Sequence, residues 1–164
     1  MAETLGSLCD KLTVVRLKQW HTQEPRRLAS LARQLTALEI EMDDFVSKAV
    51  SRQIPASQLK FDANKVYRKR QHAVREVTGE IGGVFSKLAG VNCALWHQQE
   101  KIYDFARVPA SEKDGVIKRL AILNLERNRC IEVIDDLFRE KIVAMNGKVT
   151  RTKPARAAGK CRPR

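Results

Sequence analysis

Three features of this 164-residue chain predict an all-α protein, an antiparallel four-helix bundle made of two related helical hairpins. Apolar residues recur at helical steps of three and four over four long stretches. Strand signals are few, with only 8 glycines and 5 prolines to punctuate the chain. The chain also contains itself twice. Thr4 to Glu24 (TLGSLCDKLTVVRLKQWHTQE) and Glu80 to Glu100 (EIGGVFSKLAGVNCALWHQQE) align without a gap at an offset of 76. They share Gly6/Gly82, Lys11/Lys87, Leu12/Leu88, Val15/Val91, Trp20/Trp96, His21/His97, Gln23/Gln99 and Glu24/Glu100, far more than chance allows. A repeated unit of this size predicts a pseudo-symmetric architecture.

The first helix carries Leu5, Leu8, Leu12 and Val15, then the Trp20 region. Glu24-Pro25 is a boundary, because proline disfavours helix in the residue before it and is accepted in a first turn. A second helix from Pro25 to about Val50 carries Leu28, Leu31, Leu35, Leu38, Met42, Phe45 and Val46. Residues 51–61 read as a loop around Pro55. Asp62 to Val77 is basic and lacks an apolar stripe, so a partly ordered connection is expected there. The third helix begins near Gly79 or Glu80. Its seam is Ile81, Val84, Leu88, Val91, Leu95, Gln98 and Ile102, and it ends before Val108-Pro109. Ser111 is the expected cap of the fourth helix, with Asp114 in the place of the usual Glu or Gln. That helix carries Val116, Leu120, Leu123, Cys130, Ile131, Ile134, Leu137, Phe138 and Ile142 and should stop at Asn146-Gly147. Both return helices write Leu-x-x-Leu-x-x-Glu, as Leu35, Leu38, Glu41 and as Leu120, Leu123, Glu126. The expected organisation is a bundle over residues 1–147 with hairpins at about 4–50 and 80–146, a basic linker 51–79, and a disordered basic tail 148–164.

Composition narrows the function classes. The first residues lack a signal peptide's basic start and apolar core, and no apolar run approaches membrane-spanning length. A cytoplasmic protein is expected. Its cysteines, Cys9, Cys93, Cys130 and Cys161, are widely spaced, which speaks against structural zinc or a disulfide framework. The net charge of +12 is uneven. The tail holds Lys148, Arg151, Lys153, Arg156, Lys160, Arg162 and Arg164 and no acid. The linker holds Arg52, Lys60, Lys65, Arg68, Lys69, Arg70 and Arg75 against Asp62 and Glu76, and the remainder is neutral. Two basic stretches beside a neutral body point to an anionic partner. Phe61 and Tyr67 among those bases suit stacking on an unpaired nucleobase.

The repeated cluster Trp20, His21, Glu24 and Trp96, His97, Glu100 invites a second question. His and Glu at i and i+3 share a helix face. With Glu41 and Glu126 from the return helices, His21, Glu24, His97 and Glu100 make the inventory of a di-metal bundle, though with His before Glu. Against a metal, His97 and Glu100 lie opposite the seam that Leu95 and Gln98 define. The plainer expectation buries Trp20 and Trp96 against neighbouring helices while His and Glu bond to loops or helix ends; a recognition surface is the other reading. In the fourth helix, Asn124 and Arg127 interrupt the apolar stripe. A satisfied buried polar layer is expected, with Glu100 or Glu41 as partner of Arg127. The rival is an anion or sugar pocket with Arg127, Asn92 and Asn128 as donors. Glu39, Glu41, Asp43 and Asp44 form an acidic run. Glu41-x-x-Asp44 matches half of the magnesium motif of helical nucleotide pyrophosphohydrolases, but a solvated face is the expected reading.

The stretch from Val91 to Ile142 contains N-x-x-L-W-H-x-x-E (Asn92, Leu95, Trp96, His97, Glu100), then L-x-x-L-N-x-x-R-N-x-x-I-E-x-I-D. The second motif comprises Leu120, Leu123, Asn124, Arg127, Asn128, Ile131, Glu132, Ile134 and Asp135. These residues resemble a family of small helical bacterial and phage proteins known as a domain of unknown function. The resemblance covers the second hairpin well. It covers the first more loosely, because Glu39 and Asp43 replace the two asparagines. It implies the helical bundle and carries no activity, catalytic residue or cofactor. The basic tail lies outside it.

No Ser-His-Asp constellation, Gly-rich phosphate loop or zinc signature is written in the chain. The expectation is therefore a binding protein more than an enzyme, without a cofactor. It would engage nucleic acid or nucleoprotein through residues 60–75 and 148–164. The alternatives are a metal- or nucleotide-dependent enzyme using the His/Glu set, and a homo-oligomeric subunit with a tryptophan-bearing face.

Overall fold

The computed structural model describes residues 3–61 and 76–151, with side chains as far as Gly147. They form a helical bundle of four α-helices: α1 (Leu5–Trp20), α2 (Pro25–Val50), α3 (Ile81–Tyr103) and α4 (Ala110–Arg151). Single 3-10 turns at Ala56–Gln58 and Phe105–Arg107 follow α2 and α3, and no strand occurs among the described residues.

Local chemistry sets the helix ends. Thr4 caps α1: its Oγ1 accepts from the Ser7 amide at 3.3 Å, and the Thr4 amide donates to Ser7 Oγ at 2.9 Å. This is a reciprocal capping box with serine in the third position. Pro25 opens α2, as its fixed φ and missing N–H allow. At the end of α2 the Gln53 amide reaches back to Lys48 O (2.9 Å) and the Arg52 amide to Ala49 O (3.2 Å), a Schellman closure. Arg52 occupies its left-handed position at φ +65°, where glycine is usual. Its side chain is fixed against α4 instead, donating from Nε to Asn146 Oδ1 (3.0 Å) and from a terminal nitrogen to Asn146 O (3.2 Å). Gly79, at φ +127°, turns the chain into α3.

Two expectations about α4 need correction. Ser111 is not its cap, because the helix has begun at Ala110, directly after Pro109. Asn146-Gly147 is not its stop. Arg52 clamps Asn146 from outside, and the helix runs on to Arg151, so the first four residues assigned to the tail are helical. A mid-helix glycine costs only about 1 kcal/mol relative to alanine, too little to end a helix held from another element.

Helix α1 is the hub, packing on α2, α3 and α4, while α3 and α4 share the broadest contact. The expected seam of α3 is the buried one, with Val84, Leu88, Val91 and Leu95 in the core. One apolar cluster joins Leu5 and Cys9 of α1 to Leu88, Cys130, Ile134, Phe138 and Ile142, and closes over Ala49, Leu59 and Val77. A second joins Leu8 and Val15 to Leu31, Leu35 and Leu38 of α2. A third joins Val91 and Leu95 to Leu123. Each fully buried leucine contributes about 1.5–3 kcal/mol relative to exposure. Lys141, late in α4, pairs with Glu80 just before α3 at 2.9 Å, so these two ends lie side by side.

Candidate functional site

Two polar assemblies sit on this frame. The first is interior. Asp10 and Thr13 lie on one face of α1, and both are buried. Asn92 of α3 donates to Asp10 Oδ1 (2.9 Å) and to Thr13 Oγ1 (2.6 Å), and Thr13 Oγ1 donates in turn to its own helix at Asp10 O (2.8 Å). Arg127 of α4 grips the same carboxylate with both arms, Nε to Oδ1 at 2.7 Å and a terminal nitrogen to Oδ2. The hydrogen bond to Asp10 raises the guanidinium pKa further above its ordinary value, more than burial lowers it. Of the polar layer expected of α4, Arg127 takes part, with Asp10 as its acid and neither Glu100 nor Glu41, while Asn124 donates to Leu120 O of its own helix at 3.0 Å. Of the donors of the rival anion pocket, the Asn92 amide is bonded to Asp10 and Thr13, and two nitrogens of Arg127 are bonded to Asp10. Asp10 and Thr13 were missed in the sequence. Their signal was faint: Gly6, Asp10 and Thr13 recur at helical spacing beside the apolar stripe.

The second assembly lies at the far end of α1, and there the two copies of the repeated motif meet asymmetrically. His21, just past α1, stacks on Trp96 with ring centroids 4.6 Å apart and planes 19° apart. Trp96 Nε1 donates to Glu100 Oε1 at 2.9 Å. His21 Nδ1 lies 3.8 Å from Glu100 Oε1, and His97 Nδ1 lies 3.3 Å from Oε2. Bonds from His97 and Trp96 hold the Glu100 carboxyl below its usual range. The His97 ring sits edge-on to His21, with Nε2 3.8 Å from Cys93 Sγ.

Trp20, expected to be buried, is 87% exposed. The reason is the different length of the two copies. Helix α1 ends at Trp20, and Pro25 bars it from running on into α2, whereas α3 continues seven residues past Trp96. Residues 97–100 are therefore helical and bring Trp96 and His97 onto Glu100, while Glu24 is drawn into an extended N-cap position before α2.

The remaining candidates lie elsewhere. Glu41 lines a separate cleft with Glu3, Asp44 and Lys48. Glu126 is on α4 near Cys130. Among the described residues no group of three or more His, Cys, Asp or Glu is placed to hold a metal. The acidic run is exposed, with Glu39 near Arg16 (3.5 Å) and Asp44 paired to Lys48 (2.6 Å). Lys65, Arg68, Lys69, Arg70 and Arg75 lie outside the described residues, as do Lys153, Arg156, Lys160, Arg162 and Arg164. Lys148 and Arg151 are placed in α4 by backbone only. No described helix is long and apolar enough to cross a membrane. Comparison with family models, curated proteins and solved structures gave no match to the chain.

Proposed function

We propose that this is a non-enzymatic binding protein that engages nucleic acid, bare or in a nucleoprotein, through its basic linker and basic tail. The charge distribution carries the reading: all of the +12 net charge falls on residues 51–79 and 148–164. The fold supports it by bringing the roots of the two stretches together. Arg52 bonds to Asn146, Arg139 Nε donates to Ala56 O (3.2 Å), and Lys60 pairs with Asp136. Leu59 and Val77, which flank the linker's basic centre, are both buried in the cluster that contains Phe138 and Ile142 of α4. The described ends of the linker therefore lie along the C-terminal half of α4, the helix from which the tail extends. One composite basic surface is the economical consequence, and phosphate contact requires little more than Lys and Arg within reach.

We read the architecture as two antiparallel hairpins descended from one duplicated unit, α1–α2 and α3–α4, related to the small bacterial and phage helical family that the second hairpin resembles.

The test is a salt titration of binding to single- and double-stranded oligonucleotides, with the full chain and a variant ending at Gly147. For every phosphate that the shorter chain no longer neutralises, the slope of log K against log salt should flatten by about 0.9 on duplex or 0.7 on single strands. A tail that engages phosphates through most of its seven cations should remove roughly five units of slope. Equal affinity and equal slope for both chains would defeat the proposal.

A further inference from the structure

A cleft of about 350 Å³ lies beside the His21–Trp96 stack, lined by Lys18, His21, Thr22, Arg27, Ser30, Leu31 and Trp96. It sits where α1 ends and α2 begins, at the opposite end of α1 from the roots of the basic stretches. We propose that this cleft binds a nucleoside 5′-phosphate.

Its walls divide into two chemistries. On one side stand two cations. Lys18 is in the last turn of α1 and Arg27 in the first turn of α2, and neither has an ion pair among the described residues. Other described cations, such as Arg33 and Lys118, are also without an ion pair; what sets Lys18 and Arg27 apart is that both line the same cleft. Two unneutralised cations facing one cleft favour a dianion, and the planar guanidinium can meet phosphate oxygens with two parallel bonds. The hydroxyls of Thr22 and Ser30 supply neutral donors in the same wall. On the other side stand two aromatic rings already held parallel, with Glu100 gripping the Trp96 indole and lying close to the His21 imidazole. Leu31, buried, gives an apolar floor. Inorganic phosphate or sulfate would satisfy the cations and leave the aromatic wall unused. A heteroaromatic base with a phosphate one ribose away uses both, because every base offers a π-face for stacking. The volume lies in the range of small-ligand sites. Preorganisation by Glu100 spares the ligand the cost of ordering the rings.

The experiment uses tryptophan fluorescence. The chain has two tryptophans, and Trp20 stands in solvent, so W20F leaves Trp96 as the reporter. Adenosine 5′-monophosphate should quench it saturably. Adenosine alone and inorganic phosphate alone should bind at least about tenfold more weakly, since each lacks one half of the interactions. K18A and R27A should each raise Kd by roughly fivefold or more, the size of one partly exposed charge-assisted bond. Both replace exposed side chains, and far-UV circular dichroism checks that the fold persists. The variant ending at Gly147 should bind the nucleotide as the full chain does, which separates this site from nucleic-acid binding through the basic stretches. Absence of saturable quenching, a Kd unchanged in R27A, or equal binding of adenosine or phosphate alone would each overturn the proposal. So would loss of nucleotide binding on removal of the tail.

Discussion

Asp10 is the residue on which three helices agree. It is buried at 5% exposure and accepts from Asn92 and from both arms of Arg127, so its charge is paired and both of its oxygens are hydrogen-bonded. Removing one partner of a buried ion pair is costlier than removing both, because the remaining charge is stranded. Arg127→Met should therefore destabilise the fold by about 3 kcal/mol, the low end for such a pair because the arginine side chain is 33% exposed. The double variant Asp10→Leu/Arg127→Met should recover at least half of that loss in urea denaturation. A single variant within experimental error of the parent would show that the pair contributes little. Helical periodicity singled out Arg127 as a polar break in an apolar stripe, yet named the wrong acids. Periodicity reports which face of its own helix a residue occupies. It does not report which residue of another helix stands at the same height, and Asp10 is 117 positions away.

The elements themselves were more legible than their ends. The start of α2 and the buried seam of α3 follow from proline placement and apolar spacing, both of which act locally. The start of α4 at Ala110 follows locally from Pro109, whereas its continuation through Asn146-Gly147 accompanies a contact with another element, the Arg52–Asn146 clamp, which a local reading does not see. The duplication was legible as letters and misleading as environment. Gly6 donates its amide to Asp135 Oδ1 at 2.7 Å, and a Cβ there would run into the Ile131 carbonyl oxygen and sit 3.0 Å from Asp135 Oδ1. Its counterpart Gly82 has open space around it. Gly6→Ala should thus force α1 off α4 and cost about 2–3 kcal/mol. Gly90→Ala, in the interior of α3 with nothing near its Cβ position, should add up to about 1 kcal/mol by favouring the helix. Thermal unfolding of the two variants reads both signs, and a neutral Gly6→Ala would mean that α1 and α4 part without cost.

At the scale of the whole molecule, stability should respond to pH through Asp135. Burial pushes this carboxyl up to about 6, against the bonds from the Gly6 amide and the Thr4 side chain, which favour the charged form. An unfolded aspartate titrates near 3.8. Between these values the folded protein holds a proton that the unfolded chain does not, so lowering the pH through 6 towards 4 stabilises the fold by up to about 3 kcal/mol. Above 6 the cost of the buried charge is fully present. Glu3 acts in the opposite sense and lower down: burial raises its pKa, but bonds from Lys11 and Ser7 outweigh it, and its stabilisation is lost only as the pH falls below about 4.5. Asp135→Asn keeps an acceptor for Gly6 and should abolish the gain between pH 7 and 5 in urea denaturation. Identical pH profiles for parent and variant would rule Asp135 out as the source. The hub position of α1 has a further consequence for biosynthesis. Synthesis runs from N- to C-terminus, so α1 is made well before α4, and Gly6 waits for Asp135 and Asp10 for Arg127. On a ribosome, Leu31, Leu35 and Leu38 of α2 can shelter Leu8 and Val15 early. The acid on α1 stays without its guanidinium until the 117 positions that separate them have been made, so a nascent chain that stalls within α3 exposes a half-clothed helix to chaperones and proteases.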